Sequence, residues 1–236
     1  MERKQGLYEK YIKRFFDISC AIAAIVVFWW LYLIVAVLVR VNLGSPIIFK
    51  QPRPGKNGKI FVLYKFRTMT NERDENNNLL PDGLRITKFG KALRKSSMDE
   101  LPEVVNILNG TMSVVGPRPQ LVKDMVFMTE EQRARHSVKP GLSGLAQTKG
   151  RNTLEWDKKL ETDIEYVKNI TFLGDMKIIF NTIRQVFFHQ NGGDDSFANE
   201  VKITDDYGDY LLKKGRITCE EYEEKQQAAM DLLGDW

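Results

Sequence analysis

The stretch from Ile18 to Val39, ISCAIAAIVVFWWLYLIVAVLV, carries no charged residue. A helix of that length rises roughly 30 Å, about the thickness of a bilayer's hydrocarbon core, so the run reads as a membrane segment. A cleavable signal has a shorter apolar region with a small-residue exit, whereas this run ends in VLVRVNLG and continues directly into the chain. It is expected to be a retained anchor. Basic residues flank it on both sides: Arg3, Lys4, Lys10, Lys13 and Arg14 before, and Arg40, Lys50, Arg53, Lys56 and Lys59 after. Basic flanks prefer the cytoplasmic side and anionic headgroups, so this symmetry predicts that both ends lie on one membrane face, in a re-entrant or monotopic insertion.

Outside that run the chain has the balance of a soluble domain. It has 236 residues, 43% hydrophobic and 28% charged, with a mean hydropathy of −0.34, which suits one domain with appendages. The expected organisation is a basic N-terminus and membrane helix over 1–43, a catalytic domain over 44–190, and a linker with a helical tail over 191–236. Two cysteines and two histidines, all far apart, argue against a disulfide scaffold, a zinc site and Ser-His-Asp chemistry. A metal here would be a hard cation held by oxygens. The net charge of +4 is not accompanied by base-stacking motifs, so nucleic acid is not an expected partner.

Local patterns predict an α+β, predominantly helical fold. Ile47–Lys50 and Lys59–Met69 read as a β-hairpin around a Pro/Gly/Asn turn, and TNERDENNNLLPDG as an exposed loop. ITKFGKALRKS reads as a short cationic helix, DELPEVVNILNG as a helix closed by Gly110, and VVGPRPQ as a proline-pinned turn. A Met-rich amphipathic stretch then runs to about Ser137, and KPGLSGLAQTKGRN reads as a glycine-rich loop. Two helices follow, the second with Phe172, Leu173, Met176, Ile179, Phe180, Ile183, Val186 and Phe187 in one stripe. That stripe suits either core packing or the membrane interface. In the tail, Thr218 and Glu221 have capping-box spacing, and the segment resembles the short C-terminal modules called SHOCT domains, which implies association with itself or with a partner.

The chemistry centres on KSSMDELPEVVN, residues 95–106. Ser97-x-x-Glu100 has capping-box spacing, and spacing alone favours a cap. Pro102, tolerated only in a first turn, places the helix start near Asp99, with both carboxylates at its positive end. A carboxylate ringed by Arg85, Lys88, Lys91, Arg94 and Lys95 is expected to stay ionised, suited to act as a nucleophile or as a Mg²⁺ ligand. Rigid cations stand elsewhere: Lys65 and Arg67 two apart in a strand, Arg118 between Pro117 and Pro119, and Arg151 after Gly150. Together with an anchor and a carboxylate pair they suggest a diphosphate substrate brought to a bilayer.

The anchor, KFRTM, RITKFGKALRKSSMDELPEVVNIL, SVVGPRP, KPGLSGLAQTKGRN and ETDIEYV occur in the order expected of the bacterial sugar transferases. The chain resembles the small single-domain members of these monotopic polyprenyl-phosphate phosphoglycosyl transferases over roughly residues 8–188. The resemblance implies that Asp99 attacks the β-phosphorus of a UDP-sugar, releasing UMP and forming an aspartyl-phosphosugar. Polyprenyl phosphate then takes up the sugar phosphate. It further implies that Glu100 holds Mg²⁺, and that Lys65, Arg67, Arg85, Arg118, Arg151 and Asp163 contact phosphate or nucleotide. The implied location is the cytoplasmic face of a bacterial inner membrane, at the first membrane step of glycoconjugate assembly. Three positions depart from the family pattern: Trp29-Trp30 stands where many members have a helix-breaking Ser-Pro, Thr111 where an Asp is usual, and Leu145 where a Trp is usual. The rival reading is a membrane-tethered, non-enzymatic scaffold that recruits glycan-assembly enzymes.

Overall fold

The computed structural model describes residues 5–150, 154–188 and 206–234. A π-helical turn, Tyr8–Ile12, leads into α1, Lys13–Leu43, which Gly44 ends at φ 77°. α1 passes Trp29-Trp30 without a break, where the helix-breaking Ser-Pro of many family members is absent. With no proline or glycine between Asp17 and Arg40, nothing removes a backbone donor or releases the helical ladder.

Both ends of α1 nonetheless rest on the same polar domain. Lys13, Asp17, Ala21, Val35 and Val39 are its buried residues, spaced to share one face. At the N-terminal end Asp17 accepts hydrogen bonds from Ser113 Oγ and Val114 N, both at 2.9 Å. Arg14 donates to the carbonyls of Ile107 and Leu108. Lys13 pairs with the fully buried Asp175, which also accepts from the hydroxyls of Tyr8 (2.8 Å) and Tyr166 (2.9 Å). At the other end Val35 and Val39 pack with Phe66 and Leu93. Between these anchorages Ile22, Val26, Trp29, Trp30 and Leu33 are exposed.

The hairpin is β1, Ile48–Pro54, antiparallel to β2, Ile60–Phe66. β1 is longer than its sequence suggested, since Pro52 and Pro54 are tolerated in a two-stranded sheet whose outer edge needs no N–H donor. Residues 72–79 are exposed, as expected of a polar loop, and α2, Asp82–Arg85, closes it. The cationic helix is α3, Lys88–Lys95, capped by Thr87, whose Oγ1 accepts from Gly90 N at 3.0 Å. Gly90 is required there, because a Cβ would lie 1.8 Å from the carbonyl oxygen of Thr68.

Further elements differ from the local patterns. The helix expected from Asp99 begins at Glu103 and runs to Asn109 as α4; Asp99 and Glu100 stand just before it on a 3₁₀ turn, Met98–Glu100. The expected turn and glycine-rich loop contribute a parallel pair, β3 (Ser113–Val115) with β4 (Gly141–Ser143). Gly116 and Gly141 allow this approach, since a Cβ on Gly141 would meet Gly116 N at 2.0 Å. The Met-rich stretch is divided into α5, Val122–Met125, and α6, Glu130–Arg133, because Thr129 and Gln132 form a capping box that starts a second helix. The rest of the glycine-rich loop supplies α7, Leu145–Gly150.

The two expected helices are α8, Trp156–Lys168, and α9, Phe172–Phe188. The α9 stripe is divided: Ile179 packs half-buried against the core beside the buried Ile178, which lies outside the stripe, while Leu173, Phe180 and Ile183 are exposed. The tail forms α10, Tyr207–Lys213, and α11, Cys219–Leu233, with the Thr218–Glu221 capping box present. The fold is α+β and mainly helical.

Candidate active site

Ser97, in left-handed conformation at φ 57°, makes no side-chain cap, and Glu100 turns instead toward two cations. Lys65 Nζ lies 2.8 Å from Glu100 Oε1, and Arg118 donates to the same oxygen. Lys65 also reaches Glu103 Oε1 at 3.1 Å. The pair that spacing favours as a cap is therefore held by ion pairing between distant segments.

Each partner is positioned by the scaffold. Lys65 stands on β2, which α4 grips through Asn106: its Nδ2 donates to Val62 O at 2.6 Å, and its Oδ1 accepts from Tyr64 N at 3.1 Å. Arg118 is confined between two prolines, and its main-chain carbonyl accepts from Arg135 Nη2 at 2.6 Å. Arg135 in turn pairs with Asp163 at 2.7 Å, both side chains almost fully buried. Asp163 thus acts on the site through Arg135 and the loop that carries Arg118.

The electrostatics follow from this packing. Burial raises Glu100, but Arg118 and Lys65 overcome it and hold its carboxyl well below the usual range. Burial, then Glu100, pushes Glu103 up to about 7. Asp99 is also raised, by burial first and by Glu100 second, while Lys65, Arg118 and Arg94 oppose the shift. The cations that bear on Asp99 are thus partly other than those its sequence neighbours suggested.

Lys65, Glu103, Arg118 and Asp163 line a cavity of about 230 Å³, together with Arg53, Gln120, Gln147, Trp156, Lys159 and Asp206. Asp99 and Glu100 are not in its wall but adjoin it through their cationic partners. Burial and the neighbouring Arg135 push Lys159 down to about 8.

Other expected residues lie elsewhere. Arg67 donates to Ser45 O at 2.8 Å near the end of α1. Arg85 pairs with Asp82 and donates to Leu80 O at 2.7 Å, within the polar loop. Arg151 lies outside the described residues. Thr111 ties the end of α4, its Oγ1 donating to Asn109 Oδ1 at 2.8 Å, and Leu145 packs against the core around Val115, Val138 and Tyr166.

Glu103 escaped sequence reasoning although it stands four residues after Asp99, a helical spacing that could have revealed it. Gln120, Gln147, Lys159 and Asp206 gave no local signal. Among the described residues no group of three or more His, Cys, Asp or Glu side chains is arranged to hold a metal. The donor chemistry still suits Mg²⁺: both cations bind Glu100 through Oε1, and Mg²⁺ commonly takes one or two carboxylates with substrate oxygens and water completing its shell.

The chain matches the model of the family described as bacterial sugar transferase over residues 8–189. It is 50% identical over 175 residues to the uncharacterized sugar transferase EpsL of Bacillus subtilis (strain 168), covering 74% of this chain and 87% of that protein. It is 38% identical over 187 residues to a UDP-N-acetylgalactosamine-undecaprenyl-phosphate N-acetylgalactosaminephosphotransferase of Aeromonas hydrophila, covering 75% of this chain and 44% of the relative. It is 36% identical over 189 residues to a UDP-glucose:undecaprenyl-phosphate glucose-1-phosphate transferase of Klebsiella pneumoniae, covering 76% and 41%. The match thus spans less than half the length of these last two relatives. With the family's region running from the start of the apolar helix to the end of α9, the chain belongs to the bacterial sugar transferases.

Proposed function

We propose that this protein transfers a sugar 1-phosphate from a UDP-sugar to polyprenyl phosphate, releasing UMP, on the cytoplasmic face of a bacterial inner membrane. The observation that carries this reading is the convergence of Lys65 and Arg118 on Glu100, beside the buried Asp99, in a domain fastened to both ends of an apolar helix. Two relatives that this chain matches at 36–38% identity are named as sugar-phosphate transferases acting on undecaprenyl phosphate.

In the reaction the Asp99 carboxylate attacks the β-phosphorus, and the bond from that phosphorus to the bridging oxygen breaks. That oxygen leaves with UMP, and the sugar phosphate remains on Asp99 as an acyl phosphate. A phosphate oxygen of the polyprenyl carrier then attacks the same phosphorus, which frees Asp99 and forms the diphosphate-linked product. Lys65 and Arg118 offset charge on the transferred group from fixed positions. Glu100 would hold Mg²⁺, which supplies further charge neutralisation at the diphosphate when bound. The acceptor reaches the site by lateral diffusion, since the exposed apolar faces of α1 and α9 keep the domain at the bilayer.

Replacing Asp99 with Asn tests the reading. UMP release from UDP-sugars, with undecaprenyl phosphate and Mg²⁺ present, should fall by at least ~10⁴-fold; turnover that survives the substitution sinks it. The scaffold alternative is disfavoured because a cluster of buried Asp99 and Glu103 with half-buried Glu100, Lys65 and Arg118 costs desolvation energy that a tether has no need of. Recruitment through the tail has less support as well, because much of the tail's apolar surface is used within its own chain.

A further inference from the structure

The family region ends at residue 189, yet a segment beyond it forms part of the cavity wall. Tyr207, Leu211 and Ala229 join Val126, Phe127, Met128 and Leu160 in one core. The docking is close: a Cβ on Gly208 would come 2.5 Å from the Phe127 ring, and the rings of Tyr207 and Trp156 lie 5.1 Å apart. Polar contacts fix the register. Tyr207 N donates to Asp124 Oδ1 at 3.0 Å, Lys123 pairs with Asp206, and Arg216 pairs with Asp157 at 2.8 Å. Asp206 consequently lines the same cavity as Lys65 and Arg118.

The wall it joins has unmet hydrogen-bonding capacity. Gln120 Nε2, a donor, and Gln147 Oε1, an acceptor, are buried there without a partner among the described residues. Unpartnered buried amide atoms are costly and mark a surface awaiting a polar ligand. The cations lining the cavity, Arg53, Lys65, Arg118 and Lys159, suit phosphate. A carboxylate with an amide donor and an amide acceptor suits hydroxyls, which both give and accept hydrogen bonds.

Resting on the transferase reading, we propose that the C-terminal segment 206–233 completes the donor site. Asp206, Gln120 and Gln147 take the hydroxyls of a ring of the sugar nucleotide, either the hexose or the ribose. Asp206 is thereby a donor-recognition residue outside the family's common region.

The test is Asp206→Asn in the full-length, membrane-associated enzyme. Asp206 makes no side-chain cap to α10, so the substitution is expected to fold, and thermal unfolding checks this. The donor KM should rise ~10-fold with kcat held within ~2-fold, the signature of a lost ground-state hydrogen bond to a charged group. A changed ranking across a panel of UDP-hexoses, with inhibition by UMP unchanged, assigns the contact to the hexose. An unchanged ranking, with UMP inhibition weakened by the same factor, assigns it to the ribose. Lys123→Met removes the ion pair but keeps the carboxylate, and it should leave the donor KM within ~2-fold. An unaltered KM in Asp206→Asn, or an equal rise in Lys123→Met, overturns the proposal, the latter because Asp206 would then only fasten the tail. These outcomes compare active enzymes. A wild-type protein that releases no UMP, or an active Asp99→Asn variant, would instead remove the transferase reading beneath it.

Discussion

Glu103 shows how a single buried carboxyl sets the charge of this site. Below about pH 7 it holds its proton, and the group of Lys65, Arg118 and Glu100 is net positive; above that pH the added negative charge cancels it. Affinity for a dianionic donor should therefore fall as pH rises through about 7, and donor KM measured between about pH 6 and about 9 should climb in the wild type but climb later and less in Glu103→Gln, where Lys159, pushed down to about 8, still loses its charge in that range. Asp99 obeys the opposite requirement. Burial and then Glu100 raise its pKa, while attack needs the ionised form, so kcat should decline on the acid side. The same shift means that folding is weakened by Asp99 when ionised, an effect absent once both folded and unfolded states are protonated. Asp99→Asn should thus unfold at a higher temperature than the wild type at neutral pH, with the gain vanishing in acid. Asp163 has a structural duty beside its place in the cavity wall, as the partner of Arg135. Removing it in Asp163→Ala leaves Arg135 buried and unpaired, and should cost about 3–5 kcal/mol in chemical denaturation, far more than loss of a surface ligand.

At the scale of elements, α1 runs unbroken through Trp29-Trp30, the position that already departs from the family's helix-breaking Ser-Pro. No residue in it can break the ladder, yet Arg14 and Asp17 near one end, and Val35 and Val39 near the other, all pack on the same domain. A simple crossing would draw that polar domain into the bilayer, where its unpaired groups would be very costly. Both flanks should therefore face the cytoplasm: thiols introduced by Gln5→Cys and by Lys59→Cys should be labelled by an impermeant reagent only after cells are opened, and labelling of either in intact spheroplasts would refute the arrangement. α4 carries an equally specific duty. Asn106, completely buried, ties it to β2 and so sets the Lys65–Glu100 contact. Asn106→Ala should destabilise the protein by about 1–3 kcal/mol in thermal or chemical unfolding, since it strands half-buried backbone groups of Val62 and Tyr64.

For the whole molecule, membrane attachment and catalysis share one framework. The exposed surfaces of Trp29, Trp30, Leu33, Phe180 and Ile183 have no partner of suitable polarity in water. Each large side chain buried in lipid contributes about 1.5–3 kcal/mol. A combined Trp29→Glu and Trp30→Glu change should release a large share of the protein into the soluble fraction on high-salt washing, while leaving the Lys65–Glu100–Arg118 cluster intact. The apolar run was legible in the chain because lipid demands uninterrupted hydrophobicity, and so were α3, α8, α9 and the hairpin, whose periodicities are local. The Asp99-Glu100 pair and its motif order were equally plain. Three-residue strands such as β3 and β4 were not, because so few residues carry no pattern.

What the sequence by itself determined was membrane association, a mainly helical α+β composition, the family, and the position of the candidate nucleophile. These rest on short-range spacing and residue chemistry. Tertiary structure alone decided that Glu100 is gripped by Lys65 and Arg118 instead of capping a helix, that Asp163 pairs with Arg135, and that the tail closes on the cavity. Those contacts join residues between 18 and 83 positions apart, and only the packing of the intervening elements determines which charges meet.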